Sequence, residues 1–287
     1  MRVPSRDMSR RTLSRAIRAQ GVGLHSGAEV RMLLEPAAAG SGIMFFRRDL
    51  GVEIPASFAL VGETRLGTVL IRDAARVGVI EHLMAALSGA GIDDVRIDLD
   101  GPEPPILDGD ALCYLALIDA AGVREQEGRR GAIRVRKTVE VNSGEASVRL
   151  VPHEGRQFAF TIDFASKIIG HQYYSFAFSE EGFRAEIAPA RTFGLLSDLD
   201  ALLKMGLSRG ASLSNTLAID GDRLANPQLL RFADEFVRHK ILDAIGDLAL
   251  AGAPIHGRFE GLRSSHALNN QLLRALFADE DNYVRVD

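Results

Sequence analysis

The sequence predicts an α+β protein of two similar domains, each with helices packed against a small, largely antiparallel sheet. Strand-like runs are followed by runs with helical spacing, and this order occurs once in each half of the chain. Between the halves lies REQEGRRG, residues 124–131, a charged and glycine-containing stretch typical of a domain boundary. We therefore predict domains at residues 1–126 and 127–287, with residues 1–12 flexible.

The composition is that of a globular protein and excludes several functional classes. The 287 residues are 46% hydrophobic and 25% charged, which is enough for two cores of ordinary size. A net charge of -4 argues against a nucleic-acid binder. Because Cys113 is the only cysteine, an internal disulfide and a cysteine-based zinc site are both excluded. Any metal must therefore bind to His, Asp and Glu.

The hydropathy pattern argues against an integral membrane protein. No apolar run approaches the roughly 20 residues that a membrane-spanning helix needs. The start, MRVPSRDMSRRTLSRAIRAQ, is basic and lacks the apolar region of a secretory signal, so it is interpreted as a flexible tail or a transit peptide. We expect a cytoplasmic protein, and we expect it to be a monomer.

In the first half, short strands are followed by two helices. The strand-like stretches are GVGLHSG (21–27), AEVRMLLEP (28–36), SGIMFFRRDL (41–50), TVLI (68–71) and DDVRIDLDG (93–101). The helical stretches are GVIEHLMAALSGAG (78–91), with Glu81 and His82 in its first turns, and ALCYLALIDAAG (111–122), where Cys113 is expected in the core. GVGLHSG lacks the spacing of a dinucleotide-binding loop. His25, which lies between turn residues of this motif, either lines a site or is an ordinary loop histidine.

The second half repeats this order. Its strand-like stretches are AIRVRKTVEV (132–141), ASVRLVP (146–152), FAFTIDF (158–164) and HQYYSFAF (171–178). After ARTFG, a helix-like run carries Leu195, Leu199, Leu202 and Leu203 on one side and ends at Gly206. GASLSNTLAI (210–219) is interpreted as loop and strand. Two more helices follow, at residues 234–250 and from His266 onwards.

The helix at residues 234–250 carries the clearest functional signal. Its polar residues His239, Lys240, Asp243 and Asp247 fall within an arc of about 100°, away from the apolar face. Side chains at i and i+4, such as His239 and Asp243, can bind one metal ion, and zinc accepts imidazole nitrogen and carboxylate oxygen. The alternative is a solvated polar face with an i, i+4 contact.

Two other polar positions are ambiguous by themselves. The adjacent residues Glu81 and His82 point about 100° apart, so both reach a site only if the helix end faces it; otherwise they are surface residues. His266 begins a helix, where an imidazole either points into a cleft or acts as a cap.

Six motifs, taken in order and with their separations, resemble one family. They are GVGLHSG, EHLMAALSGAGIDD, PILDGD, ARTFG, LRFADEFVRHKILDAIGDL and SHALNNQLL. They resemble the zinc-dependent UDP-3-O-acyl-N-acetylglucosamine deacetylases, which catalyse the committed step of lipid A synthesis in Gram-negative bacteria. The resemblance spans about Thr12 to Val286. It implies that the helices of the two domains face each other between the sheets, and that a βαβ unit is inserted at about residues 194–220.

The resemblance also implies a set of site residues. His82, His239 and Asp243 would bind zinc, which leaves a fourth position for water; iron(II) could occupy the same ligands. The resemblance implies that Glu81 is the general base and that Thr192 donates a hydrogen bond to the reacting carbonyl. It implies that His266 is the general acid or an electrostatic partner and that Asp247 orients His266. Lys240 would lie beside the metal.

The implied substrate is UDP-3-O-acyl-N-acetylglucosamine, whose 2-acetamido group is hydrolysed. Its acyl chain needs an apolar channel, so the leucine face formed by Leu195, Leu199, Leu202 and Leu203 becomes a candidate lining. Lys240, Thr192, Phe193 and His25 are expected near the substrate. Another zinc amidase with the same ligands, or a non-catalytic nucleotide-sugar or lipid-binding protein, is the alternative. Glu81 argues against the latter, because binding alone needs no general base.

The chain departs from the family pattern at two places. The family usually has glycine where this chain has Ser265, and if that glycine has a positive φ the loop before His266 must differ or be strained. After IDF, the family tends to have His-Pro where this chain has Ser166 and Lys167.

Overall fold

The computed structural model describes residues 9–286. In the first half the elements are β1 (Ser9–Leu13), β2 (Ile17–Val22), β3 (Glu29–Pro36), β4 (Ile43–Arg47), β5 (Val52–Pro55), β6 (Val61–Glu63), β7 (Val69–Arg72), β8 (Ala75–Val77), α1 (Glu81–Gly89), β9 (Val95–Leu99) and α2 (Leu112–Ala121). The helices lie where their spacing predicts them.

The second half contains more strands and the longest helix of the described chain. Its elements are β10 (Val123–Arg129), β11 (Ala132–Val135), β12 (Val139–Ser143), β13 (Ala146–Val151), β14 (Arg156–Asp163), β15 (His171–Ala177), α3 (Glu180–Gly182), β16 (Phe193–Leu195), α4 (Leu196–Lys204), β17 (Leu217–Asp220), β18 (Arg223–Leu224), α5 (Glu235–Ala249), β19 (Ile255–Leu262), α6 (His266–Phe277) and β20 (Tyr283–Val286).

Each half has one principal sheet, as the α+β prediction requires. In the first half the strand order is β2-β3-β9-β4-β5, and every pair is antiparallel except β4 with β9. In the second half the order is β12-β13-β19-β11-β20, extended by β14 and β15, with β19 parallel to both β11 and β14. The sheets are therefore small and mixed, and antiparallel pairs predominate.

The helices of the two halves face each other between these sheets. α1 packs against α2 and α5, and α2 packs against β2. On the other side, α5 packs against α6, β14 and β15, while α6 packs against β12 and β13. The predicted α+β arrangement is confirmed.

Two three-stranded sheets lie beside this framework. β6, β7 and β8 form an antiparallel sheet in the first half. In the second half, β16, α4 and β17 form a βαβ unit, because β16 and β17 pair in parallel with Phe193 opposite Leu217. This unit lies at the predicted insertion of residues 194–220.

The stretch between the halves is a strand. β10 covers most of residues 124–131 and pairs antiparallel with β1, so this segment is not an open linker. The pairing also places residues 9–12 in a strand, contrary to their predicted flexibility, with Thr12 fully buried. Residues 1–8 of that predicted flexible end lie outside the described residues.

The local consequences of the two sequence departures are visible in the backbone. Ser265 has φ -138°, an extended conformation open to any residue, and its hydroxyl accepts the Leu268 N–H, so it caps α6. The second departure, at Ser166 and Lys167, lies in the turn between β14 and β15. There the Ser166 hydroxyl donates to the Gly221 carbonyl at 2.5 Å, and the Lys167 N–H donates to Asp222 at 2.8 Å. This turn therefore binds the loop between β17 and β18.

Across residues 9–286, no helix combines the length and apolar character needed to cross a bilayer.

Candidate active site

Two helices bring the predicted metal ligands together. α5 carries His239 and Asp243 one turn apart, and α1 supplies His82 from the other half of the chain. The Asp243 Oδ1 atom lies 3.3 Å from His239 Nε2 and 3.7 Å from His82 Nε2. All three side chains are buried, and their ligand atoms lie within 4.8 Å of one another. The polar side of α5 is therefore a buried surface and not a solvated one.

Close contact between α1 and α5 makes this convergence possible. A Cβ atom at Gly246 would overlap the Glu81 carbonyl oxygen, so the first turn of α1 rests directly on the α5 backbone. Gly246 lies one turn beyond Asp243. Because the helices cross at a glycine, the residues on either side of the crossing point into the same space.

The three side chains fit a metal ion. Tetrahedral zinc with bonds of about 2.0–2.1 Å places its ligand atoms about 3.3–3.4 Å apart, close to the separations seen here. Asp243 Oδ1 is buried without a hydrogen-bond partner, a costly state unless a ligand binds. The His239 Nδ1–H donates to the Ala190 carbonyl at 3.0 Å, which leaves Nε2 free to coordinate.

The protonation states also suit a cation. Burial and then the charge of His239 lower the pKa of His82 to about 3, and burial lowers the pKa of His239. Burial opposes ionisation of Asp243, but the neighbouring His239 and Lys240 charges outweigh it and lower the pKa of that carboxyl. Neutral imidazoles beside an ionised carboxylate are the forms that coordinate metals.

Glu81 lies beside this cluster. Burial raises the pKa of Glu81 to about 7. Its Oε2 atom accepts the Thr68 N–H at 3.0 Å, and its Oε1 atom lies 3.9 Å from His266 Nε2. A carboxylate whose pKa lies near neutrality can both accept and return a proton at physiological pH.

His266 and Asp247 form a hydrogen-bonded pair. His266 Nδ1 lies 2.8 Å from Asp247 Oδ2, which also accepts the Asn269 amide N–H at 2.8 Å. Burial opposes the charged imidazole, but the carboxylates of Asp247 and Glu81 raise the pKa of His266 to about 9. The Thr68 hydroxyl donates to Asp247 Oδ1 at 2.5 Å. The predicted role of Asp247 as the residue that orients His266 fits this geometry.

Thr192 and Phe193 lie at the start of the inserted unit. The Thr192 N–H donates to the Gly109 carbonyl at 2.8 Å, and its own carbonyl accepts the Leu217 N–H at 2.9 Å. The Phe193 ring packs edge-on against His239, with 6.2 Å between centroids. Thr192 is thus held by Gly109 of the first half and by β17, and Phe193 lies against a predicted metal ligand.

Glu235 fixes the segment that precedes Thr192. Its fully buried carboxylate accepts the Arg191 N–H at 3.1 Å and the Arg191 Nε–H at 3.0 Å. The same segment contains Ala190, whose carbonyl orients His239. The first turn of α5 therefore supports a metal ligand and the predicted carbonyl donor together.

Lys240 contacts the metal cluster. Its ammonium group donates to Asp243 Oδ2 at 2.6 Å, while Asp243 Oδ1 stays free. Burial opposes the charge, yet Asp243 raises the pKa of Lys240. The lysine therefore stays cationic at the rim of the cluster.

An apolar cavity of about 470 Å³ opens beside Thr192 and Phe193. Leu195, Leu199 and Leu202 of the leucine face line it, together with Leu66 from the first half. Leu203 does not: it is 41% exposed and lies outside the lining, so the leucine face is narrower than its spacing predicts. A cavity of this character suits an alkyl chain.

His25 lies at the edge of the cavity, but its ring is engaged by the protein. Nε2 lies 2.9 Å from the Leu66 carbonyl, and Nδ1 accepts the Ser208 N–H at 3.3 Å. The His25 ring therefore joins loops from both halves beside the cavity. It stays a candidate contact for the substrate through its ring face.

A family model described as LpxC, UDP-3-O-acyl N-acetylglycosamine deacetylase, matches residues 10–278. The chain belongs to this deacetylase family. A relative from Myxococcus xanthus (strain DK1622) is 49% identical over 277 residues, which cover 96% of this chain and 88% of the relative. A second from Campylobacter fetus subsp. fetus (strain 82-40) is 46% identical, covering 97% and 95%.

A third relative, from a Nitratiruptor species, is 44% identical, and the match covers 98% of this chain and 94% of the relative. All three carry the name UDP-3-O-acyl-N-acetylglucosamine deacetylase. Because the similarity extends over nearly the whole of both chains, it concerns the complete two-domain fold. The sequence-based assignment to the family is confirmed.

Several residues of this deacetylase site escaped the sequence analysis. Asn269 lies in the SHALNN motif one turn after His266, so that spacing was a usable signal. Ala190 and Glu235 lie in the motifs ARTFG and LRFADEFVRHKILDAIGDL, but their contacts join these two motifs across the chain and no local spacing indicates them. Thr68 gave no signal, because its contact with Asp247 joins segments far apart in the chain.

A second acidic group does not fit a metal. Asp108, Asp110 and Cys113 lie close together. However, Asp110 is bound by the Arg231 side chain and by the Cys113 N–H, and burial raises the pKa of the half-buried Cys113 thiol to about 12. A protonated thiol and an ion-paired carboxylate are poor ligands.

Proposed function

We propose that this member of the family hydrolyses the 2-acetamido group of UDP-3-O-acyl-N-acetylglucosamine, releasing acetate and UDP-3-O-acyl-glucosamine for lipid A biosynthesis. The observation that supports this most directly is the placement of Glu81 and His266 beside the cluster of His82, His239 and Asp243. A binding protein would need neither a carboxylate with a pKa near neutrality nor a charged imidazole facing it.

We assign the cluster to one zinc ion, because two imidazoles and a carboxylate leave a fourth tetrahedral position open. Iron(II) accepts the same donors and is the alternative. A divalent ion held there supplies a Lewis acid that lowers the pKa of water and polarises the carbonyl.

The remaining steps belong to the side chains. Glu81 accepts the proton of the attacking water, whose oxygen bonds to the acetamide carbon. The Thr192 hydroxyl and the His266 cation stabilise the negative charge that develops on the carbonyl oxygen. The C–N bond then breaks, and the departing amine takes a proton from Glu81 or His266. Asp247 keeps the His266 ring in place throughout.

The substrate's other parts have separate places. The acyl chain would enter the cavity that Leu199, Phe193 and His25 line. Lys240 would offer a positive charge to the sugar or the diphosphate. The monomeric state and the cytoplasmic location stay predictions.

Metal analysis combined with an acetate-release assay tests the proposal. The purified protein should contain about one divalent ion and release acetate from UDP-3-O-acyl-N-acetylglucosamine, but not from simple acetylated sugars or acetylated peptides. Turnover of those other amides would favour a different amidase. Binding of the nucleotide sugar without turnover would favour a binding protein.

The variant Glu81→Ala tests the general base. Turnover should fall by about 10²- to 10⁴-fold while bound metal stays near stoichiometric, since Glu81 is not a ligand. Glu154→Ala, which removes an exposed carboxylate in the turn between β13 and β14, is the control and should behave as the wild type. Unchanged turnover in Glu81→Ala would exclude this residue as the base.

A further inference from the structure

Thr68 connects the two acid–base residues of the site. It lies just before β7 in the first half and is 1% exposed. We propose that Thr68 is a positioning residue that sets the orientation of the Glu81 and Asp247 carboxylates towards His266. This inference rests on the proposed function, because it concerns the residues assigned to proton transfer.

The two polar groups of Thr68 bind different carboxylates. Its hydroxyl donates to Asp247 Oδ1 at 2.5 Å, and its N–H donates to Glu81 Oε2 at 3.0 Å. The second oxygen of each carboxylate faces His266: Asp247 Oδ2 lies 2.8 Å from Nδ1, and Glu81 Oε1 lies 3.9 Å from Nε2. Thr68, Glu81, His266 and Asp247 thus form a closed ring of contacts.

This ring joins the two halves of the chain. Thr68 and Glu81 belong to the first half, whereas Asp247 and His266 belong to the second. The Asn269 amide binds the same Asp247 oxygen as His266, so Thr68 alone holds Oδ1 among the hydrogen bonds of the described residues. Without the hydroxyl, the Asp247 carboxylate can rotate and carry the imidazole with it.

The backbone around Thr68 is strained, which fits a fixed position. Leu66 has φ 59° and Val79, two residues before Glu81, has φ 52°; both lie in the left-handed region, and a β-branched residue is rarely found there. A Cβ at Gly67 would lie 3.0 Å from Glu81 Oε1. The surrounding packing therefore holds this turn against Glu81, as expected where strain is retained at a functional site.

Three variants test the role of the hydroxyl. Thr68→Val keeps the shape and the N–H bond to Glu81 but removes the bond to Asp247, whereas Thr68→Ser keeps both bonds. Thr12→Val is the matched control, because Thr12 is also fully buried and its hydroxyl donates to the Asp94 carbonyl at 2.6 Å, far from the site. Comparison with Thr12→Val separates the loss of a buried hydrogen bond from an effect on catalysis.

In the metal-loaded protein we expect Thr68→Val to lower kcat by about 10- to 100-fold, with KM changed by less than about 3-fold and metal content unchanged, since a small misplacement of catalytic groups has effects of this size. Thr68→Ser should recover most of kcat, and Thr12→Val should keep it. Proton NMR gives a second readout: the His266 Nδ1–H resonance should shift in Thr68→Val and return in Thr68→Ser.

The outcomes are distinguishable. If the wild type releases no acetate from the substrate, the proposed function fails. The NMR comparison still tests whether Thr68 orients the His266–Asp247 pair. If the wild type is active and Thr68→Val matches it in kcat and in the resonance, the inference is overturned. A loss of kcat that only follows the loss of folded protein or of bound metal would also overturn it.

Discussion

The metal end and the acyl end of the candidate site are built in different ways. At the metal end, His82, His239 and Asp243 project from two helices that are buried on nearly every side and cross at Gly246. At the acyl end, the short amphipathic α4 presents Leu199 to a cavity while Leu203 remains exposed. The metal end fixes the positions of the reacting groups, whereas the acyl end offers an apolar space for the proposed alkyl chain.

The energetics of the two ends differ for the same reason. A buried charge or lone pair at the metal end is expensive to leave without a partner, so each ligand depends on the others. At the acyl end each apolar contact contributes in proportion to its buried area, about 25 cal/mol per Å², and the contributions are largely independent. Substitutions should therefore have large, coupled effects at the metal end and graded effects at the acyl end.

The largest expected effect is the loss of a metal ligand. His82→Ala and Asp243→Ala should each reduce bound metal to a small fraction of the wild type, and turnover should fall by at least about 10³-fold, because the Lewis acid is lost with its ligand. Elemental analysis after dialysis, together with the acetate assay, measures both. Full metal content in Asp243→Ala would show that Asp243 is not a metal ligand.

An intermediate effect is expected in the pH dependence. Glu81 must be ionised to accept a proton, so activity rises with pH through the pKa of Glu81, which is about 7 in the free protein and lower beside a bound cation. His266 must be charged, so activity falls as pH rises through its pKa, which is about 9 in the free protein and lower beside a bound cation.

The variant Asp247→Asn should move both limbs to lower pH, and the alkaline limb should move further. The charge of Asp247 and its hydrogen bond both raise the pKa of His266, whereas only its charge raises the pKa of Glu81, so its removal lowers both pKa values. Measurement of kcat/KM between about pH 5 and pH 10 shows the two limbs. An unmoved alkaline limb would mean that His266 is not the group responsible for it.

The smallest effect is expected at the acyl end. Leu199→Ala should raise KM for a long-chain substrate by about 3- to 30-fold, from the loss of roughly 1–2 kcal/mol of apolar contact, with little change in kcat. Leu203→Ala, an exposed residue on the same helix, is the control and should leave KM unchanged. Equal effects of the two variants would contradict a channel lined by one side of α4.

Much of the framework could be predicted from local sequence patterns. The periodicity that predicts helices at residues 78–91 and 234–250 is realised as α1 and α5 within three residues at each end. The i, i+4 spacing of His239 and Asp243 fixed their common side, because helix geometry makes that relation independent of the fold. The family motifs placed His82 and His266 in the same site.

Other features could not be predicted from the sequence pattern. REQEGRRG has the composition of a linker, yet it forms β10 because β1 supplies hydrogen-bond partners from the chain's beginning. The ring of His25, placed near the substrate by its motif, is bound to two backbone groups. Spacing placed Leu203 on the same side as Leu199, but in the structure Leu203 is exposed and does not line the cavity.

By itself the sequence determined the main helices, the family and the common side of His239 and Asp243 on α5, since these depend on spacing within one segment or on motifs along the chain. The tertiary structure decided which oxygen of each carboxylate is free, how far burial moves the pKa values of Glu81 and His266, and that Thr68 joins them. Those properties depend on the electric field and the packing of segments distant in sequence, which local patterns do not encode.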